Sequence, residues 1–288
     1  MATLLKGIEV VNGMKESLSS RVLELKRKGK TPCLGIVRIG ERPDDLSYEK
    51  GAVKRCSGIG LLCKVFNFPA DVSNEEFIQE FKKINADESV HGLLVFRPMP
   101  KHIDEEAVKG IISPEKDMDC MSPANIAKVF AADETGYAPC TPQAVMELLK
   151  HFGIPLKGKR VTLVGRSMVV GKPLSMLLLK EHATITICHT RTADLAGECR
   201  KAEILIAAAG VPKMVKDSFV NEGATVIDVG INVDENGNLC GDVDFESVEP
   251  VAGSITPVPG GVGTVTTSVL AMHVIEACEK GEALGRPS

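Results

Sequence analysis

Short β-branched apolar runs alternate along the chain with longer stretches in which apolar positions recur every three or four residues. The first such stretch, residues 10–28, predicts a helix that Gly29 and Pro32 stop. Residues 33–39, 62–68 and 92–96 predict three strands, with helices around 45–60 and 73–85 between them. That alternation implies parallel βαβ units. Residues 114–142 break the rhythm: they are rich in Pro, Asp and Ser, hold short amphipathic pieces such as 124–130, and read as a connector carrying functional loops. Thr141 and Pro142 then predict a hydroxyl cap and a first-position proline for a helix over 143–151. Four further strand-like runs follow at 159–165, 184–190, 204–210 and 225–230, with a helix at 173–180 after the first. Their even spacing is that of a doubly wound sheet. A last helix, 267–280, is apolar along one face and is expected to pack back onto the body.

The length of 288 residues corresponds to two domains at about 150 residues each. The fold class expected is therefore α/β in two domains, residues 1–140 and residues 141–266, with helix 267–280 returning to the first. Apolar residues make up 44% and charged residues 25%, which excludes disordered and collagen-like classes. Aromatics reach only 4%, with no Trp and two tyrosines, Tyr48 and Tyr137, so Val, Ile, Leu and Ala must build the core, as in parallel strands buried on both faces. The net charge is −4 and the longest basic run is Lys26-Arg27-Lys28, which argues against nucleic acid as a partner. Nine cysteines without a Cys-x-x-Cys pair read as reduced thiols of a cytoplasmic protein. No signal-peptide layout or membrane-length apolar run is present, so no membrane partner is expected. The six histidines are scattered without ligand spacing, and no metal is assigned.

Candidate chemistry begins at Gly165-Arg166-Ser167-Met168-Val169-Val170-Gly171-Lys172-Pro173, which follows a predicted strand and opens a helix, where backbone amides can hold a phosphate. The spacing is longer than the common G-x-G-x-x-G, and a purely structural turn remains the alternative. The next strand ends Cys188-His189-Thr190-Arg191, without the acid that an NAD-preferring site places there. Arg166 and Arg191 could instead pair a 2′-phosphate, so NADP is favoured and NAD remains possible; two arginines on a solvated rim are the plain alternative. In Thr256-Pro257-Val258-Pro259-Gly260-Gly261-Val262-Gly263, prolines fix the backbone and glycines permit close approach, which suits a ligand cradle.

Taken in order, residues 92–104 (GLLVFRPMPKHID), 114–119 (PEKDMD), 139–142 (PCTP), 164–173, 228–232 (DVGIN), 241–243 (GDV) and 256–263 resemble the methylenetetrahydrofolate dehydrogenase/cyclohydrolase family over nearly the whole chain. The resemblance implies an N-terminal folate-side domain, a C-terminal Rossmann domain, a cleft between them and a homodimer. It places the pterin on Asp119, whose carboxylate can accept a paired hydrogen bond, and the folate rings on Tyr48. Pro257, Gly260 and Gly261 fall on the substrate side. Gly165, Arg166, Ser167, Gly171, Pro173, Thr190, Arg191 and Ile231 fall on the cofactor side.

Two positions depart from the family pattern. The catalytic Lys expected four residues after the Tyr is Ala52, and the Gln expected to partner it is Phe96. At about 100° per residue, Lys54 lies about 120° round the helix from Tyr48 and Lys50 about 160° round it. Arg55 returns to the same face two turns on, but a guanidinium does not give up a proton near neutral pH. Hydride transfer asks mainly for alignment, whereas hydrolysis of the methenyl bridge asks for a tunable proton carrier. The expectation is a dehydrogenase whose cyclohydrolase activity is weak, absent or carried by Lys54. A Rossmann oxidoreductase of a small acid and a non-catalytic folate binder are the rival classes.

Overall fold

The computed structural model describes residues 1–283. The elements, in chain order, are β1 (Thr3–Leu4), α1 (Gly7–Arg27), β2 (Cys33–Ile39), α2 (Pro43–Ile59), β3 (Leu62–Phe68), α3 (Asn74–Ala86), β4 (Gly92–Val95), α4 (Glu105–Ile111), α5 (Pro123–Phe130), α6 (Cys140–His151), β5 (Arg160–Val164), α7 (Gly171–Lys180), β6 (Thr184–Cys188), α8 (Leu195–Arg200), β7 (Ile204–Ala207), β8 (Thr225–Asp228), β9 (Asn232–Val233), β10 (Leu239–Cys240), α9 (Phe245–Val248), β11 (Ser254–Ile255) and α10 (Val262–Ala283). They form two compact units, one from residues 1–13 and 141–266, the other from 14–140 and 267–283.

The second unit holds a parallel three-stranded sheet in the order β3-β2-β4. The central strand β2 is buried along almost its whole length, while β3 at the edge alternates exposed and half-buried positions. Phe77 and Phe81 of α3 stack with ring centroids 5.8 Å apart, and Phe68 meets Phe77 edge-on at 5.0 Å. With Val37, Leu93 and Val95 these rings make the core, so the few aromatics are concentrated in this unit's interior. Helix α3 starts where Ser73 accepts the Glu76 N–H at 3.2 Å, and α2 ends where Gly60 adopts a left-handed backbone.

The first unit holds a six-stranded parallel sheet, β1-β11-β8-β7-β5-β6, and β9 and β10 form a small antiparallel ribbon. Strand β7 is buried throughout and β6 is a partly exposed terminal strand. The core is aliphatic, from Val164, Leu205, Ala207, Val226, Val248 and Ile255 among others.

Three boundaries differ from the expectation. Residues 1–13, expected in the folate-side domain, belong to the unit of the six-stranded sheet because β1 pairs in parallel with β11, Thr3 opposite Ser254 and Leu4 opposite Ile255. Thr141 does not cap α6: the helix begins at Cys140, whose N–H donates to Asp119 Oδ1 at 2.8 Å, so a carboxylate from a remote segment does the capping. Helix α10 also starts earlier than 267, at Val262.

Candidate active site

In the folate-side unit, β4 and the segment after α4 bring the site residues together. Leu93 N donates to Lys116 O at 2.6 Å and Met118 N donates to Leu93 O at 3.3 Å, so residues 116–118 run parallel to β4 along its free edge. Both segments therefore leave the sheet at the same end, one as Phe96-Arg97 and the other as Asp119. Arg97 Nη2 lies 3.7 Å from Asp119 Oδ2. The turn beyond is held by Asp117, a buried carboxylate that accepts from Met121 N, Ser122 N and Asn125 Nδ2 at 2.9, 2.9 and 3.1 Å. Burial pushes the Asp119 carboxyl above its ordinary range, against the pull of the Cys140 N–H and the Arg97 guanidinium.

Helix α2 supplies the other half. It is fixed to β2 by the buried Arg38, whose Nε donates to Glu49 Oε2 at 2.9 Å and whose Nη1 donates to Gly40 O. Glu49 is the neighbour of Tyr48, so this ion pair sets the height and rotation of that ring. Tyr48 is half-buried and meets Phe96 edge-on, with centroids 6.0 Å apart and planes at 90°. Ala52, one turn further, is completely buried, and Lys54 is exposed. The structure thus gathers Tyr48 with Phe96 and Arg97 with Asp119, and leaves the catalytic candidate Lys54 facing solvent. The Phe96 ring, standing where the family's Gln is expected, packs on the tyrosine.

In the nucleotide-side unit, the loop after β5 is shaped by two glycines. Gly165 has φ +127° and passes so close to the Ala208 carbonyl that no Cβ fits, and Gly171 is packed equally tightly on Gly165. Ser167 Oγ accepts from Val170 N at 3.0 Å and from Gly171 N at 3.4 Å, closing the loop onto the start of α7. Pro173 is buried two residues inside that helix. Arg166, Thr190 and Arg191 are all exposed past the ends of β5 and β6. Their turn is set by His189, whose Nδ1 accepts from Arg191 N at 3.1 Å and whose N–H donates to Thr192 Oγ1 at 2.9 Å. Ile231 is two-thirds exposed and lies against Gly263.

The 256–263 loop is pinned from below. Thr256 is buried, donates from N to Val226 O and accepts from Asp228 N at 2.7 Å. Gly7, at the start of α1, donates to Gly260 O at 2.8 Å and packs against Gly261 O without room for a Cβ. Gly260 itself has φ +109°, and Pro257 and Gly260 are left partly or fully exposed. Sequence reasoning did not assign a role to Gly7, Asp117, Asp228 or Asp242. The three aspartates lie in quoted motifs, but only the structure shows them to be buried carboxylates tying loops together. No group of three His, Cys, Asp or Glu able to hold a metal occurs among the described residues, and no helix among them is long and apolar enough to cross a membrane.

Against known proteins, residues 5–119 match the model of the tetrahydrofolate dehydrogenase/cyclohydrolase catalytic domain and residues 139–282 that of the same family's NAD(P)-binding domain. The chain is 56% identical over 276 residues to the bifunctional protein FolD of Clostridioides difficile (strain 630), covering 96% of each. A crystal structure of the bifunctional methylenetetrahydrofolate dehydrogenase/cyclohydrolase of Campylobacter jejuni superposes with a TM-score of 0.94 at 37% identity, over 97% of this chain and 99% of that one. The Trypanosoma brucei dehydrogenase-cyclohydrolase, complexed with NADP cofactor and inhibitor, gives 0.91 at 35% identity over 98% of each.

Proposed function

The chain belongs to the tetrahydrofolate dehydrogenase/cyclohydrolase family, and from that membership we propose that it oxidises 5,10-methylenetetrahydrofolate to the methenyl form with NADP as acceptor, and hydrolyses the methenyl product poorly. The observation that carries the reading is the asymmetry of the site. The pterin-binding carboxylate Asp119 and the nucleotide loop are in place, while Ala52 is buried and Phe96 packs on Tyr48 where a proton carrier and its partner are expected.

The residues present fit a bound dinucleotide: Gly165 and Gly171 clear the backbone for a phosphate at the start of α7, and Arg166 and Arg191 stand exposed beside it. When bound, NADP supplies the nicotinamide ring that takes the hydride. Asp119, already engaged by Cys140 N on one oxygen, keeps acceptor capacity for the pterin amino group and ring N–H. Tyr48, packed against Phe96 with the two ring planes at 90°, is the ring proposed to stack on the folate. These groups bind and orient, which is what hydride transfer asks of a protein. Hydrolysis also needs a group that gives and takes a proton near neutral pH. Arg97 supplies a fixed positive charge at Asp119 and no proton, and Lys54 is out in solvent. The small-acid oxidoreductase reading is set aside by the family match.

Two separate assays test this. NADP+ reduction by methylenetetrahydrofolate should be readily measured, and methenyl hydrolysis should be slow and unchanged in Lys54→Ala. Fast hydrolysis that vanishes in Lys54→Ala would mean that the proton carrier has moved register; fast hydrolysis untouched by it would sink the reading of the site. Absence of NADP+ reduction would leave a folate binder. Preference for NADP over NAD rests on Arg166 and Arg191: losing a charge-assisted contact to the 2′-phosphate, Arg191→Ala should raise KM for NADP+ by about 10- to 100-fold and leave that for NAD+ alone. A homodimer is part of the proposal, supported by the terminal position of β6 with exposed Ile187 and Leu179 beside it, and sedimentation at twice the chain mass would check it.

A further inference from the structure

Two buried carboxylates in the nucleotide-side unit are joined in a relay that the chemistry above does not use. Asp228, at the end of β8, accepts from Gly230 N and Asp242 N on Oδ1, at 2.9 and 3.0 Å, and from Val243 N on Oδ2 at 2.9 Å. Asp242, completely buried, accepts from Ala209 N and Gly210 N on Oδ2, at 2.6 and 3.0 Å, and from Val211 N and Asn232 Nδ2 on Oδ1, at 2.9 and 2.8 Å. Adding Thr256, whose hydroxyl accepts from Asp228 N, the pair ties together four loops: 208–211 after β7, 229–232 after β8, 241–243 and the 256–263 cradle. Gly230 and Gly241 leave no space for a Cβ against Asp242 and Asp228 respectively, so the backbone is closed around both carboxylates.

The place of these loops follows from topology. The sheet reverses its winding at β5, with β6 on one side and β7 then β8 on the other, and a dinucleotide lies over the strand ends at such a reversal. The exposed arginines mark the β5–β6 side as the end that takes the adenosine phosphate. The nicotinamide end then falls on the loops after β7 and β8. At 209–211 the chain has left the ladder, and three successive N–H groups all point to one side chain, Asp242.

We propose that Asp242, itself held by Asp228, is the positioning residue that fixes the nicotinamide half of the cofactor site and thereby the alignment on which hydride transfer depends. This rests on the reading of the chain as an NADP-dependent dehydrogenase. An asparagine at 242 keeps the size but turns one acceptor oxygen into an NH2 group, which faces N–H donors and repels them. The loop would shift by a fraction of an ångström to an ångström without losing the phosphate loop after β5.

The test compares wild type, Asp242→Asn and Asn232→Ala, the last removing one of the four donors without touching the backbone contacts. Calorimetric binding of 2′-phospho-ADP-ribose, which is NADP without its nicotinamide ring, is read beside kcat for NADP+ reduction and the isotope effect with deuterated methylene substrate. Expected are fragment affinities within about twofold of wild type, kcat lower by roughly 100-fold in Asp242→Asn and by roughly 10-fold in Asn232→Ala, and a larger isotope effect as the chemical step becomes limiting. Fragment binding lost in parallel with kcat would make the relay merely structural, and kcat equal to wild type in both variants would overturn the inference with the dehydrogenase reading intact. A wild type that binds the fragment but transfers no hydride would bring down that reading and this inference together.

Discussion

At position 52 a single methyl group stands where general acid-base chemistry would need an amine. Ala52 is fully buried one turn along α2 from Tyr48 and Phe96 packs on that ring, so neither position carries a group that can take up a proton. Restoring only the lysine would bury an ammonium against a phenyl ring, which costs more than it gains. The double change Ala52→Lys with Phe96→Gln should therefore raise methenyl hydrolysis by about 100-fold or more, the range of general acid-base catalysis, with NADP+ reduction held within about threefold. Equal hydrolysis in the double variant and wild type, followed by the absorbance of the methenyl chromophore, would show that the missing pair is not what limits the reaction. Asp119 answers to a different physical rule. Its carboxyl is raised by burial, and if it holds the pterin as proposed only the ionised form accepts both donors, so folate affinity should rise as pH climbs through its ionisation and the trend should disappear in Asp119→Asn. The identities of these residues were readable along the chain; that Asp119 also caps α6 was not, because the cap comes from 21 positions away.

Elements in this protein are held by a few buried ionic contacts as much as by apolar faces. The α2 helix is tied to β2 through Arg38 and Glu49, and removing the acid leaves an uncompensated guanidinium in the sheet. Glu49→Ala should destabilise the fold by about 3 kcal/mol and raise KM for folate, since Tyr48 adjoins the lost contact; urea unfolding and initial rates read the two effects. For β8, the sign of the pH effect can be worked out. Burial, and the nearby Asp242 carboxylate, raise Asp228 to about 6 despite three backbone N–H donors, whereas an unfolded Asp titrates near about 3.9. Between those values the native state holds a proton that the unfolded chain has released, so stability falls as pH rises through that window, by roughly 2 to 3 kcal/mol in all. The stability of wild type relative to Asp228→Asn should thus be greater at pH 4.5 than at pH 7, and a constant difference in urea midpoints would refute the assignment. Strand periods announced β2, β3 and β5 through β8 to within a few residues because those runs are long and β-branched. The two-residue strands β1 and β11 carry no period at all, and they are the ones that decide where the first 13 residues belong.

For the whole molecule, the arithmetic of two domains holds in count but not in contiguity. Each unit has its own core, aromatic in one and aliphatic in the other, yet the chain passes from one to the other three times, near residues 13, 140 and 266, inside α1, at the first residue of α6 and inside α10. Separate cores favour two cooperative unfolding steps, and helices continuous through the boundary favour one. A ligand that binds one unit distinguishes the cases, because it stabilises only what unfolds with its site. NADP+ at 100 times its Kd contributes about 2.7 kcal/mol. If the cores dominate, calorimetry should show two transitions with NADP+ raising one by several degrees and leaving the other in place. If α1 and α10 fuse the units, a single transition should move as a whole by a smaller amount, since the same free energy is spread over the larger unfolding entropy of the entire chain. We expect the first outcome, because the buried apolar residues of each core come from its own unit.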